Sequence, residues 1–372
     1  MDNNIITMRL FNTTVTKKAI ELVNNSLETT FISAGNRADE FEKKLSEKLF
    51  MSRPVTVNSG TSALHLALAA ANIKYGDEVI LPSQTFIASG LAILQQGAKP
   101  VFADIDYMTG NIDPKSIESK ITNKTKAIMV VHWAGYPCDM NEIIKIAKDN
   151  NLLVIEDAAH ALGSYYKGKP IGTISDYTCF SFQAIKHLTC GDGGAICSLR
   201  DSDEKRLRKL RWFNIDRDDD VPDILGERVY NSFELGYKYH MNDISASVGL
   251  GNLEEIGTKL QRYSDISAIY NNEFKEFDGI LNFDYKSDRK SSYWLYGFHV
   301  ENRVDFIKKL SSHGIPSSVV HLGIDKNDVF GGKDYSLVNQ RKFDETQINI
   351  PIHDGLSDED VYTIIKTIKS GW

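Results

Sequence analysis

Between residues 54 and 200 short β-rich runs alternate with segments of helical period. No other feature of the chain limits its fold as strongly, because strands joined through helices form a largely parallel sheet covered by those helices. The expected strands are Val55–Val57, Glu78–Leu81, Val101–Asp104, Ala127–His132, Leu153–Asp157 and Tyr177–Phe182. Between the first two, Ala63, Leu66, Ala67, Ala70 and Ala71 recur at helical spacing, with Gly76 as a stop signal. Met140, Ile143, Ile144 and Ala147 predict another helix, opened by Asp139 with Glu142 three residues on as a capping pair. The fold class is therefore α/β.

A chain of 372 residues suits one large domain and one smaller one. From about Gly251 the pattern changes to a long amphipathic helix followed by mixed strands and helices, so the expected division is 1–250 and 251–372. No apolar run approaches the roughly 20 residues of a membrane helix. Met1 to Leu10 lacks the basic start, apolar middle and small-residue end of a secretory leader, so a cytoplasmic protein without membrane partners is expected. Cys138, Cys179, Cys190 and Cys197 show no paired spacing and read as free core thiols, and no metal site is expected. A net charge of −7 disfavours nucleic acid and leaves a small molecule as the expected partner. The stretch from Asn214 to Asn231, with Arg217-Asp218-Asp219-Asp220, reads as a solvated loop, with a substrate lid as the alternative.

Three stretches carry chemistry. In Asn58-Ser59-Gly60-Thr61-Ser62 a strand passes through small residues into a helix. Gly60 allows close backbone approach, and the amides of Thr61 and Ser62 at a helix N-terminus suit a phosphate, although Ser and Thr also cap helices that bind nothing. In Val154-Ile155-Glu156-Asp157 an apolar strand ends in two carboxylates that point to opposite faces. Asp157, followed by small residues, can keep a pyridine nitrogen protonated or merely cap the next helix. In Ser181-Phe182-Gln183-Ala184-Ile185-Lys186, a lysine among apolar neighbours follows a strand and precedes Gly191-Asp192-Gly193-Gly194. Desolvation there makes the neutral amine available for an imine, whereas most lysines are solvated surface groups.

In chain order GTSAL, PSQTF, EDAAHALGS, SFQAIKHLTCGDGG and GYKYHMND, the sequence resembles the DegT/DnrJ/EryC1/StrS aminotransferases. These are pyridoxal-phosphate (PLP) sugar aminotransferases of the aspartate-aminotransferase fold (type I), with a mostly parallel sheet in the large domain and a smaller C-terminal α/β domain. The resemblance implies that Lys186 carries the cofactor as a Schiff base and shuttles the proton. It implies that Asp157 holds the pyridine nitrogen, that Gly60, Thr61, Ser62 and Ser181 serve the phosphate, that Phe86 stacks on the ring and that His160 lies near the ring hydroxyl. It also implies a homodimer with shared sites. Lys238 stands where the family has an asparagine that reaches the partner's cofactor phosphate, a task lysine can still perform. His240 stands where the family has an arginine. The implied reaction moves an amino group from L-glutamate to a nucleotide-linked keto-deoxysugar. Val319-Val320-His321 resembles the segment that sends a histidine towards the substrate, but Leu322 to Asn327 departs from the pattern, which leaves a smaller phosphorylated ketone open as acceptor. Dehydrating relatives have histidine at the lysine position, so Lys186 favours transamination over dehydration. A PLP-binding protein without turnover is the remaining class, and an intact Lys186 and Asp157 argue against it.

Overall fold

The structure, a computed structural model, describes residues 8–216, 222–227 and 230–372. The acidic run Arg217–Asp220 and most of the segment read for a leader lie outside them. The strands are β1 (Val55–Val57), β2 (Glu78–Pro82), β3 (Lys99–Ala103), β4 (Thr125–Val131), β5 (Leu153–Asp157), a hairpin β6 (Tyr165–Tyr166) and β7 (Lys169–Pro170), then β8 (Tyr177–Ser181) and β9 (Gly194–Ser198). They are followed by β10 (Ile280–Asn282), β11 (Arg289–Lys290), β12 (Tyr296–Val300) and β13 (Gln347–Ile350).

All six expected strands form and lie in one sheet of order β1-β9-β8-β5-β4-β2-β3. From β3 to β8 neighbouring strands are parallel. β9 is antiparallel to both its neighbours, and its position as a strand was not foreseen. It returns from β8 through the loop 182–193 rather than through a helix, so the helix-strand alternation that identifies the others is missing there.

The inner strands of the sheet are buried on both faces, whereas the edge strand β3 is partly exposed. In β4, Ile128 and Val130 pack into one layer and Ala127 and Met129 into the other, as the period of a pleated strand requires. Phe41 and Leu45 of the helix Asn36–Leu49 and Ile143 of the helix Met140–Asp149 complete the first layer. The helix Gly60–Ala70 completes the second, and its residues from Ser62 to Ala70 are all buried. Its alanines keep it thin enough to sit between the sheet and the helices outside it. The expected capping pair at Asp139 does not form, since its side chain caps no amide. Instead it meets Arg289 Nη2 at 2.7 Å and Lys286 Nζ at 3.0 Å, and charged donors hold a carboxylate more strongly than an amide does.

β10, β12 and β13 form a small antiparallel sheet. With the helices Ile256–Glu273, Arg303–Ser312 and Asp358–Lys369 it encloses another core containing Tyr270, Phe298, Phe306 and Ile364. The helix Asp243–Leu253 spans the expected boundary between residues 250 and 251, and Leu253 and Ile256 still pack into the first layer. The long helix expected from about Gly251 therefore starts at Ile256. All four cysteines are free and buried. Among the described residues no helix is long and apolar enough to cross a membrane.

The chain leaves β2 for β3 on one side and β4 for β5 on the other. At such a reversal in an open α/β sheet, the carboxyl ends of the strands leave a crevice for a ligand. β1, β2, β4, β5 and β8 all end there, and the turns that follow them carry most of the residues singled out above.

Candidate active site

β5 delivers Glu156 and Asp157 to opposite layers. Glu156 accepts from His132 Nε2 at 2.6 Å and from the hydroxyls of Ser175 and Thr178, all buried. Burial works to raise its pKa, but these donors, His132 first, outweigh it and hold the carboxyl below its usual range. Cys138 N–H donates to His132 Nδ1 at 3.1 Å, which fixes the ring. Glu156 thus has a structural role under the sheet end.

Asp157 lies in the other layer, buried at the strand end. Its Oδ2 accepts from Ser89 Oγ at 2.7 Å and its Oδ1 from the Ala159 amide at 3.1 Å. Burial pushes its carboxyl up, and these two donors, Lys186 and His132 pull it back only in part. Lys186 sits in the β8–β9 loop, with its amide donating to Gln183 O at 2.9 Å. Its Nζ lies 3.6 Å from the centre of the Trp294 ring. Burial lowers its ammonium from 10.5 to about 7, with Asp157 pulling the other way. The neutral amine is therefore well populated near pH 7. His187, next in sequence, points elsewhere: its Nε2 meets Ser292 O at 3.0 Å, and burial holds it down to about 3.

The walls are aromatic. His160 stacks on Trp294 with ring centres 3.8 Å apart and packs edge-on against Trp133 at 5.6 Å. Its Nδ1 is buried with no hydrogen-bond partner among the described residues, and burial, then the charge of Lys186, holds the ring well below its ordinary value. His321 lies 6.2 Å from Trp133 and 5.2 Å from Phe86. Burial lowers it to about 4, helped by Lys186 and Lys326. Phe86 is 54% exposed, unusual for an aromatic beside such a core. Neither Trp133 nor Trp294 was expected here. Trp294 Nε1 donates to Ile185 O at 3.0 Å and so ties the lysine loop to the C-terminal part of the chain. Ser89 was also not anticipated, and only its place after PSQTF hinted at it.

At the β1 end, Ser59 caps the helix by accepting from the Ser62 amide at 3.0 Å. The Ser62 hydroxyl donates to Asn58 Oδ1 at 2.7 Å. The Ser62 amide is therefore not free, contrary to expectation, because the cap uses it. The Thr61 hydroxyl has no hydrogen-bond partner among the described residues. Gly60 stands against Ser181, where a Cβ would come within 2.8 Å of the serine Cβ. Gly194 lies against Ser59, where a Cβ would come within 2.7 Å of its carbonyl oxygen. These contacts explain Gly60 and Gly194: they let the helix turn meet the end of β8 and the start of β9.

Lys186, Asp157, Phe86, His160 and His321 thus surround one crevice, with Gly60, Thr61, Ser62 and Ser181 grouped at the neighbouring strand ends. Lys238 is exposed, 5.7 Å from the centre of the Trp212 ring, and its described contacts do not include the Gly60 turn. His240 also packs on Trp212, at 4.4 Å.

The residues fit PLP. His160 offers an orphaned buried nitrogen to a polar ring substituent, Asp157 offers a carboxylate to a ring nitrogen, and Lys186 a desolvated amine to an aldehyde. Thr61 and the helix N-terminus suit a phosphate. Among the described residues no cluster of metal-ligating side chains occurs.

The family model described as the DegT/DnrJ/EryC1/StrS aminotransferase family matches residues 13–369. GDP-perosamine synthase of Escherichia coli O157:H7 is 36% identical over 364 residues, covering 96% of this chain and 97% of that one. The dTDP-3-amino-3,6-dideoxy-alpha-D-galactopyranose transaminase of Aneurinibacillus thermoaerophilus is 33% identical over 369 residues, covering 97% of each. Among solved structures, the PLP form of Streptococcus pneumoniae Spr1654 superposes with a TM-score of 0.90 at 31% identity, covering 98% of each chain.

Proposed function

The chain belongs to the DegT/DnrJ/EryC1/StrS aminotransferase family, and on that premise we propose that it moves an amino group from L-glutamate to the keto group of a nucleotide-linked deoxysugar. The observation that carries this reading is the pairing of Lys186, an amine held to about 7, with the buried carboxylate of Asp157 at the same strand ends. Relatives named for a GDP-linked and a dTDP-linked sugar support the substrate class.

PLP, when bound, supplies an aldehyde that condenses with amines and a ring that takes up the electron pair released when a C–H bond breaks. Lys186 Nζ, its ammonium lowered by burial to about 7, takes the proton from the substrate carbon and returns it on the other side of the transfer. Asp157, ionised, keeps the proton on the ring nitrogen. Phe86 covers the ring, and His160, held neutral, accepts or donates at the ring oxygen without adding charge. Thr61 and Ser181 hold the phosphate, Ser62 does so only by turning its hydroxyl away from Asn58, and Gly60 gives the phosphate access to the helix N-terminus. His321, close to Phe86, serves the substrate side. Trp294 lies against the amine, with Nζ 3.6 Å from its ring centre, and Trp133 packs against His160.

The active unit is a homodimer whose sites borrow Lys238 from the neighbouring chain, in a cytoplasmic setting where glutamate and nucleotide-linked sugars are both at hand. Support comes from a run of bare apolar side chains just before that segment: Ile224, Leu225, Phe233 and Leu235 are each at least 77% exposed. Exposed large apolar side chains close together in the chain favour an interface.

The test is a screen of nucleotide-linked keto sugars with and without glutamate, read by product mass. An amino sugar formed only with glutamate supports the reading. A dehydrated sugar, or turnover of a small phosphorylated ketone instead, would replace it.

A further inference from the structure

We propose that Ser89 and Thr85 are positioning residues for the reaction: a hydroxyl relay from Thr85 through Ser89 holds the Asp157 carboxylate ionised and in one orientation towards the ring nitrogen. The inference rests on the reading of Asp157 as the partner of that nitrogen.

Thr85, Ser89 and Asp157 are all buried. Ser89 Oγ lies 2.7 Å from Asp157 Oδ2, 2.6 Å from Thr85 Oγ1 and 3.3 Å from Phe86 O. A serine hydroxyl has one proton to give. Of the two groups that can only accept, Asp157 Oδ2 is nearer than Phe86 O and takes it, since hydrogen bonds to a carboxylate are the stronger ones. Thr85 must then donate to Ser89, so both hydroxyls point towards the carboxylate. The Ala159 amide holds the other oxygen at 3.1 Å. With both oxygens held, the plane of the carboxylate is fixed.

The other groups near Asp157 cannot do this steadily. Lys186 on the β8–β9 loop gains and loses its proton in the reaction itself. His132 at the end of β4 is bound to Glu156, which lies on the opposite face of β5. Cys179 on β8 is kept as a neutral thiol by burial. His160, beyond the strand end, is kept neutral by burial. The two hydroxyls come from the turn after β2 and the start of the helix Ala88–Gln95. They keep the same donors on Asp157 throughout, and they join it to the turn that carries Phe86.

Removing one hydrogen bond to a charged oxygen moves a carboxyl titration by about one pH unit. In Ser89→Ala the acid limb of kcat/KM should therefore rise by about one pH unit, with rates converging on wild type at alkaline pH. The PLP dissociation constant, measured by equilibrium dialysis at neutral pH, should rise about ten-fold. Thr85→Val should shift both in the same direction but less, and Thr85→Ser, which keeps the hydroxyl, should restore them. Thermal unfolding of the cofactor-free variants separates misfolding from these effects. The relay is refuted if Ser89→Ala and Thr85→Val keep the wild-type acid limb and PLP affinity, or if their rates fall equally at every pH. Asp157→Asn distinguishes the parent reading: if that variant is fully active, the role of Asp157 fails, whereas an impaired Asp157→Asn beside unaffected hydroxyl variants removes the relay alone.

Discussion

Replacing Lys186 with methionine should abolish transamination and at the same time make the cofactor-free protein more stable near neutral pH. The ammonium has left water: burial lowers it from 10.5 to about 7, which corresponds to about 4–5 kcal/mol at roughly 1.36 kcal/mol per pH unit. That figure is an upper limit, because the side chain is only partly buried and water in the crevice screens it. The expected gain for Lys186→Met is therefore below about 4–5 kcal/mol, with the thioether filling similar space against the Trp294 ring, from whose centre Nζ lies 3.6 Å. The folded value lies below the unfolded one, so between about 7 and 10.5 the unfolded chain binds a proton that the folded chain lacks, and wild-type stability rises with pH across that window. The methionine variant lacks this rise. Its advantage should be full below about pH 7 and gone above about pH 10.5, as measured by urea unfolding of both cofactor-free proteins at several pH values. Equal stability throughout, or a gain that does not change with pH, would falsify the claim that the fold holds this amine out of water.

Three further outcomes are expected. Borohydride treatment of the PLP-loaded enzyme should fix the cofactor to the peptide containing Lys186, and label on another lysine would overturn the assignment. Asp157→Asn should bind PLP more weakly than Ser89→Ala does and, once loaded at saturating PLP, slow proton abstraction about 10²–10³-fold, the usual scale for losing one electrostatic contact to the transition state; single-turnover absorbance with glutamate measures this, and an unchanged rate would exclude the role. Lys238→Ala should weaken PLP retention, and mixing it with Lys186→Ala should restore activity, because one site of each hybrid dimer combines an intact Lys186 with an intact Lys238. No gain above the two parents despite demonstrated subunit exchange would rule out a shared site.

Much of this was legible in the sequence because the information is local. Strand and helix periods follow from which face each side chain points to, so the six strands Val55–Val57 to Tyr177–Ser181 and the helix after Gly60 could be read from spacing. The turns that bear Gly60, Phe86, Asp157 and Lys186 directly follow those strands, and their order alone matched the family. Other features depend on which distant segments meet. Trp294 reaches Lys186, and His321 reaches Phe86, from parts of the chain whose spacing carries no sign of either contact. Asp139 has the sequence of a helix cap, yet Arg289 and Lys286 claim its carboxylate. β9 was not read as a strand, and its pairing with β1 and β8 makes it one. The sequence by itself determined the periodic elements and the chemistry placed at their ends, because both are encoded within a few residues. Only the tertiary structure decided the depth to which Lys186 and Asp157 are desolvated and the partners that hold them, because burial and pairing are set by elements far apart in the chain.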